Sequence, residues 1–242
     1  MRICWSGIRK GIKLNFRRFE LSTSNPVRPC GKLKVGMGMS ESVLVVATLW
    51  EPIKPFERGD RYEDPLDAAL AEHELGHVCG GGSQLSNESG IEFVDIEIQL
   101  HDLLRGLPVI KATLEAQGAP KGSVLRFTEN DMDQTIPFGV TECLAIFLDG
   151  VSLPDAVYAS TDINVLADEI TDSLSVTSLG EIREAYRGAE ETALFIYGPD
   201  AEELFAGLQP VLETYPLCQN ARVVLRYGKA TNLPRTVRLP RS

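Results

Sequence analysis

The strongest constraint on this chain is an internal duplication. Residues 90–127 read GIEFVDIEIQLHDLLRGLPVIKATLEAQGAPKGSVLRF, and residues 192–227 read TALFIYGPDAEELFAGLQPVLETYPLCQNARVVLRY. Each copy runs from a β-branched, strand-like stretch through an acidic turn into an amphipathic helix. Each then ends in a second strand closing on Val-Leu-Arg and an aromatic residue. A repeat of this size implies two equivalent folding units, and 242 residues leave room for two of about 100 each.

The flanking sequence completes each unit. Residues 43–50 (VLVVATLW) form a β-branched apolar run suited to a buried strand. A Pro- and charge-rich loop follows over 51–65, with Asp64 placed to cap a helix and Pro65 at its first position. Leu66, Ala69 and Leu70 mark one face of that helix through about Leu75, and a glycine-distorted strand covers 77–85. SNESG (86–90) is turn chemistry. In 91–100, Val94, Ile96, Ile98 and Leu100 alternate with Asp95, Glu97 and Gln99, so one sheet face is buried and the other acidic. The second half repeats the order: a strand at 142–148, a helix at 163–174, strands at 179–188 and 193–198, a helix with Leu204, Leu208, Val211 and Tyr215 in phase, and a strand at 221–227.

Each half therefore reads β-α-β-β-α-β, with two helices on one face of an antiparallel sheet. Landmarks recur at nearly constant offsets: Leu75-Gly76 with Leu179-Gly180, Gly106-Leu107 with Gly207-Leu208, and Leu125-Arg126-Phe127 with Leu225-Arg226-Tyr227. On these residues the chain resembles a tandem of ferredoxin-like domains over about 43–228, the domain type found in families of uncharacterised bacterial proteins. The resemblance implies an α+β fold of two such units packed as a pseudo-dimer. The expected division is a basic extension at 1–39, a first domain at 40–128, a linker at 129–139, a second domain at 140–228 and an irregular tail at 229–242. The fold implies no activity, because it hosts many unrelated functions.

Charge is divided unevenly. The first 40 residues carry nine Lys/Arg and the single acid Glu20, so an overall net charge of −10 leaves −18 on the rest. The acidic body argues against binding nucleic acid, since like charge repels phosphate. The head is either an artefactual or disordered extension, translation starting at Met37 or Met39, or an Arg-rich targeting arm. Five scattered cysteines without a CxxC fit reduced thiols in the cytoplasm, and no apolar run approaches the roughly 20 residues of a membrane span.

One motif looks catalytic. HELGH at 73–77 is locally similar to the zinc-binding HExxH of the zincin metallopeptidases, and HELGHVCG to the start of the metzincin signature. That resemblance implies His73 and His77 as zinc ligands four apart on a helix, with Glu74 as the base activating bound water. The metzincin third histidine would fall at Ser83, which leaves Glu97 or His101 as the remaining ligand. Against it, Leu75-Gly76-His77 aligns with Leu179-Gly180-Glu181, where a helix has ended and a strand begins. The duplication thus places His77 in a strand and makes the motif a decoy.

Other constellations have structural readings. Cys79 near His77 reads as a small buried hydrophobe, Asp102 beside His101 as a helix cap, GAPKGS (118–123) as a turn and Gly80–Gly82 as a bulge. Glu92, Asp95 and Glu97 read as a solvated acidic row. With three histidines and no complete catalytic set, the expectation is a non-catalytic binding or regulatory protein. It would act on an unidentified protein or small molecule through a sheet face or the cleft between halves, without catalytic, cofactor-binding or metal residues. The first alternative is a zinc-dependent metallopeptidase or other hydrolase using His73, Glu74, His77 and Glu97. The second is a small-molecule enzyme seated in the cleft.

Overall fold

The structure, a computed structural model, describes residues 42–86, 90–228 and 233–240. It holds two five-stranded antiparallel sheets with helices packed on one face of each, the tandem α+β arrangement expected from the duplication. The first sheet has the order β2-β3-β1-β4-β5, from strands β1 (Val43–Leu49), β2 (Gly76–Ser86), β3 (Gly90–Leu100), β4 (Ser123–Glu129) and β5 (Met132–Phe138). The second has the order β10-β9-β6-β8-β7, from β6 (Glu142–Asp149), β7 (Glu181–Arg187), β8 (Glu191–Gly198), β9 (Arg222–Arg226) and β10 (Arg235–Arg238).

Alternation decides which face is buried. In the first unit Val45, Ala47, Leu49, Val94, Ile96, Ile98 and Leu100 turn inward against helices α2 (Asp64–Glu72) and α3 (Leu103–Ala116). Leu66, Leu70, Ile110 and Leu114 supply the helical side of that core. The second unit packs Leu144, Ile146, Leu194 and Ile196 against α5 (Ile163–Thr177) and α6 (Ala201–Thr214) in the same way. A short helix, α4 (Asp155–Ser160), precedes α5. Asp102, Asp162 and Asp200 cap α3, α5 and α6 by accepting backbone N–H bonds from the first turn.

Four departures from the sequence reading concern local chemistry. The stretch expected as a linker contains β5, because Asn130 and Asp131, both at positive φ, make a tight turn that folds 132–138 back on β4. The tail expected to be irregular contains β10, paired to β9 from Arg235 to Arg238. Each unit therefore carries a fifth strand in the same place.

The helix expected to start at Asp64 begins about two and a half turns earlier, at α1 (Pro55–Arg58), and runs through a π-turn at Gly59–Glu63. There the Asp64 N–H donates to the Gly59 carbonyl, and the widened turn accommodates Pro65, which has no N–H to donate. The same helix ends at Glu72, short of Leu75. The basic extension at 1–39 and the centre of the SNESG turn lie outside the described residues. No helix among the described residues is long and apolar enough to cross a membrane.

Candidate functional site

The HELGH motif straddles a helix end. His73 is the C-cap of α2, Glu74 takes the left-handed conformation at φ 52°, and Gly76 opens β2. The Glu74 and Leu75 N–H groups bond to Ala71 and Leu70 carbonyls, a common way to close a helix before the chain reverses. His73 and His77 therefore occupy different elements and do not share a helical face. His77 sits in β2 opposite Gln99, on the sheet face that also carries Glu97, and its ring centroid is 6.4 Å from that of His101. His73, Glu74, His77 and Glu97 are all exposed. Among the described residues no three His, Cys, Asp or Glu side chains converge closely enough to hold a metal ion.

The neighbouring glycine run has a packing reason. β2 bulges at Cys79, between Val78 and Gly80. Arg58 then lies along the strand, donating from Nη1 to the Gly82 carbonyl at 2.7 Å. A Cβ at Gly81 would stand 3.0 Å from Arg58 Nη2 and 2.6 Å from the Asp95 carbonyl. The side chain at that position must be hydrogen.

The two units meet through a buried ionic cluster that the sequence reading did not single out. β7 bulges at Arg183, between Ile182 and Glu184, at the position matching Cys79 in β2. The bulge aims Arg183 out of its own sheet and into the first unit. Its guanidinium donates to the Gly118 carbonyl at 2.9 Å and to Glu181 at 2.9 Å, stands 3.4 Å from Glu51, and lies 4.7 Å over the Tyr197 ring. Tyr62 donates to Glu51 at 2.5 Å. Glu51 and Tyr62 have no solvent exposure, and the Arg183 side chain has 5%.

Burial raises the Glu51 carboxyl above its ordinary value despite the opposing pull of Arg183 and Tyr62. Burial works against the Arg183 cation too, but Glu51, Tyr62 and Glu181 together hold it more basic than usual. Lys54 to Glu184 (2.5 Å) and Lys121 to Glu142 (2.9 Å) tie the units at two further points. At these points, where a cleft between halves was an expectation, side chains of the two units interlock. The only advance signal for Arg183 was the strand-opening Leu179-Gly180, which marks where the bulged strand begins.

The open site lies on the outer face of the first sheet. Pairing places Leu44, Val46 and Thr48 of β1, Asp95, Glu97 and Gln99 of β3, and Arg126 of β4 on this face. The corresponding positions of the second sheet are Cys143, Ala145, Phe147, Ala193, Phe195, Tyr197 and Val224. Those seven form an apolar cluster that is buried throughout, and burial pushes the Cys143 thiol up to about 11. The Tyr197 hydroxyl is buried beside that thiol without meeting the geometry of a full hydrogen bond.

The first sheet differs: Leu44 is 48% exposed, and a trough of about 1140 Å³ crosses β1, β4 and β5. Its floor includes Leu44, Val46 and Arg126. One wall is the β4–β5 turn (Glu129 to Asp133), and the other is the start of α3 at His101 and Asp102. Much of its polar chemistry is already engaged. Arg126 donates to Thr48 at 2.5 Å and stands 3.7 Å from Asp95, Asp102 caps α3, and Asp133 accepts from Thr128 at 3.0 Å.

No protein-family model and no curated protein matches the chain. Among solved structures, it is similar to the regulatory subunit of aspartate kinase from Thermus flavus at 13% identity, covering 70% of this chain and 90% of that one, with a TM-score of 0.24. It is also similar to a protein from Fusobacterium nucleatum subsp. nucleatum titled "putative monooxygenase", at 11% identity, covering 80% and 97% of the two chains, with a TM-score of 0.26. At such scores neither protein's activity bears on this one.

Proposed function

We propose that this chain is a non-catalytic binding or regulatory protein that receives its ligand on the outer face of the first sheet. The observation that carries this reading is the asymmetry between the repeats. One outer face is apolar and buried, whereas its counterpart mixes Leu44 and Val46 with polar and charged side chains and opens into a trough of about 1140 Å³. Duplicated units need not both keep a working face, and the buried one has become scaffold. The trough supports binding better than chemistry because Arg126, Asp102 and Asp133 are committed to holding strands, hairpin and helix in place. Its volume exceeds the roughly 300–1,000 Å³ of an enclosing small-molecule pocket, and its open shape suits contact along a surface.

Amide spectra of the ¹⁵N-labelled protein, titrated with pools of small polar compounds and of ten-residue peptides, test this. Bound pools are expected to shift amides of Leu44, Val46, Arg126 and Thr135, and Leu44→Glu is expected to abolish those shifts. Responses confined to Glu51, Tyr62 and Arg183, or no response at the trough from any pool, would sink the reading.

A further inference from the structure

Resting on that reading, we infer that the trough's occupant is an extended, Lys/Arg-bearing peptide segment of a partner protein. Three features of the site select this chemistry. The first is charge. Four acids line the trough, Asp102, Glu129, Asp131 and Asp133, against one Lys/Arg, Arg126. Arg126 is itself tied to Thr48 and Asp95, so the trough's one fixed cation is turned to the sheet.

The second is shape. The trough spans β1, β4 and β5, and two strand spacings of about 4.8 Å give a width of about 10 Å, which about three extended residues would cross at about 3.3 Å each. β5 is the edge of its sheet, so it pairs with β4 on one side and with no strand on the other among the described residues.

The third is the pairing of floor and rim. Half-buried Val46 and exposed Leu44 offer an apolar bed for the methylene stems of Lys or Arg. Glu129 and Asp131 stand at the turn where the charged heads would emerge. That turn is fixed by the Glu129–Met132 pair and by two left-handed residues, Asn130 and Asp131. The backbone that carries these acids is thus held in position before a ligand arrives. The overall charge of −10 would draw a basic segment toward the protein.

The test uses two ten-residue peptides of equal length and apolar content, one carrying four lysines and arginines and the other four glutamates. Each is titrated into the full chain, into Glu129→Lys/Asp131→Asn, and into a chain beginning at Met39. Both substitutions are at exposed turn positions, and Asn tolerates the left-handed conformation at 131. An unchanged melting temperature confirms that the variant is folded.

The basic peptide is expected to shift the trough amides, to weaken several-fold between 50 and 300 mM salt, and to lose about tenfold in affinity in the variant. The acidic peptide is expected not to bind. Trough binding by the acidic peptide, or equal affinity for parent and variant, overturns the basic-ligand inference and leaves the binding reading intact. Affinity about tenfold higher for the chain beginning at Met39 assigns the trough to the protein's own basic head and overturns the partner. A trough silent to both peptides and to the pools above overturns the reading itself.

Discussion

The Leu100 side chain fills the place where a Cβ on Gly106 would stand, 2.7 Å from its methyl carbons. The second unit makes the same contact with the residues exchanged. There the strand position is Gly198 and the helix position Leu204, whose methyl carbons lie 3.1 and 3.2 Å from where a Gly198 Cβ would be, with the Leu179 carbonyl closer still at 2.1 Å. Two copies of one packing site have settled the same volume in opposite ways. The exchange also fixes the true register of the repeats, because Leu100 and Gly198 each lie two residues before a capping aspartate, Asp102 and Asp200.

This reciprocity predicts a measurable coupling. Gly106→Leu alone overpacks the first unit and is expected to cost about 1–3 kcal/mol. Leu100→Gly alone removes a fully buried side chain and is expected to cost about 2–5 kcal/mol. The double exchange reproduces the second unit's solution, so it is expected to lose clearly less than the sum in urea unfolding. Simple additivity would show that the two sites are packed differently.

The buried cluster at the unit junction predicts unequal costs for its two charged members. Arg183→Met leaves the Gly118 carbonyl and Glu51 without their buried donor and is expected to destabilise by about 1–3 kcal/mol. Glu51→Gln keeps an acceptor for Tyr62 and is expected to cost far less, because the ionised carboxylate is already disfavoured by burial. Urea midpoints of both variants at neutral pH check the order.

Glu51 also sets a sign for pH. Its folded value is raised above 4.5, so the folded state holds this proton more tightly than the unfolded chain. Its contribution is fully present below about 4.5 and is lost as pH rises through the raised folded value. Relative to Glu51→Gln, the parent is therefore expected to gain stability as pH falls across that window. Stability differences between the two chains across the acidic range measure this directly, and an opposite slope would place a net stabilised carboxylate at Glu51.

The glycine run in β2 should divide by position. Gly81→Ala must displace the Asp95 carbonyl and crowds the Arg58 guanidinium, and is expected to destabilise by about 1–3 kcal/mol. A Cβ on Gly82 meets nothing within 4 Å, and Gly82→Ala is expected to be neutral or to stabilise by about 0.4–1 kcal/mol. Thermal melts of the two single variants distinguish them.

Because His73 ends a helix and His77 stands in a strand, chelation is expected to leave the melting temperature unchanged. His73→Ala is expected to leave bound zinc, by elemental analysis, at the background level of the parent. Stoichiometric zinc lost on His73→Ala would refute both expectations.

Much of the scaffold was legible because its signals are local. Strict alternation in 91–100 and the Leu204, Leu208 periodicity each name a buried face without reference to any other segment. The duplication also placed His77 at the start of a strand through Leu75-Gly76 and Leu179-Gly180. Two other landmarks misled. Gly106 and Gly207 look equivalent, but Gly106 occupies the place of Leu204, one turn away. Arg126 likewise matches Val224 and not Arg226, because Val46 and Ala145 pair with those residues. Strand register answers to cross-strand partners, which a linear comparison does not contain.

What the sequence determined by itself was the pair of α+β units, through periodicities of 2 and 3.6 that dictate which side chains leave water. Tertiary structure alone decided three things: that Arg183 leaves its sheet to meet Glu51, that the outer face of β6 is closed, and that the matching face of β1 stays open. Each depends on residues far apart in sequence coming within a few ångströms, and the first also on the competition between burying a charge and pairing it. That energy belongs to the assembled surroundings and to no single stretch of chain.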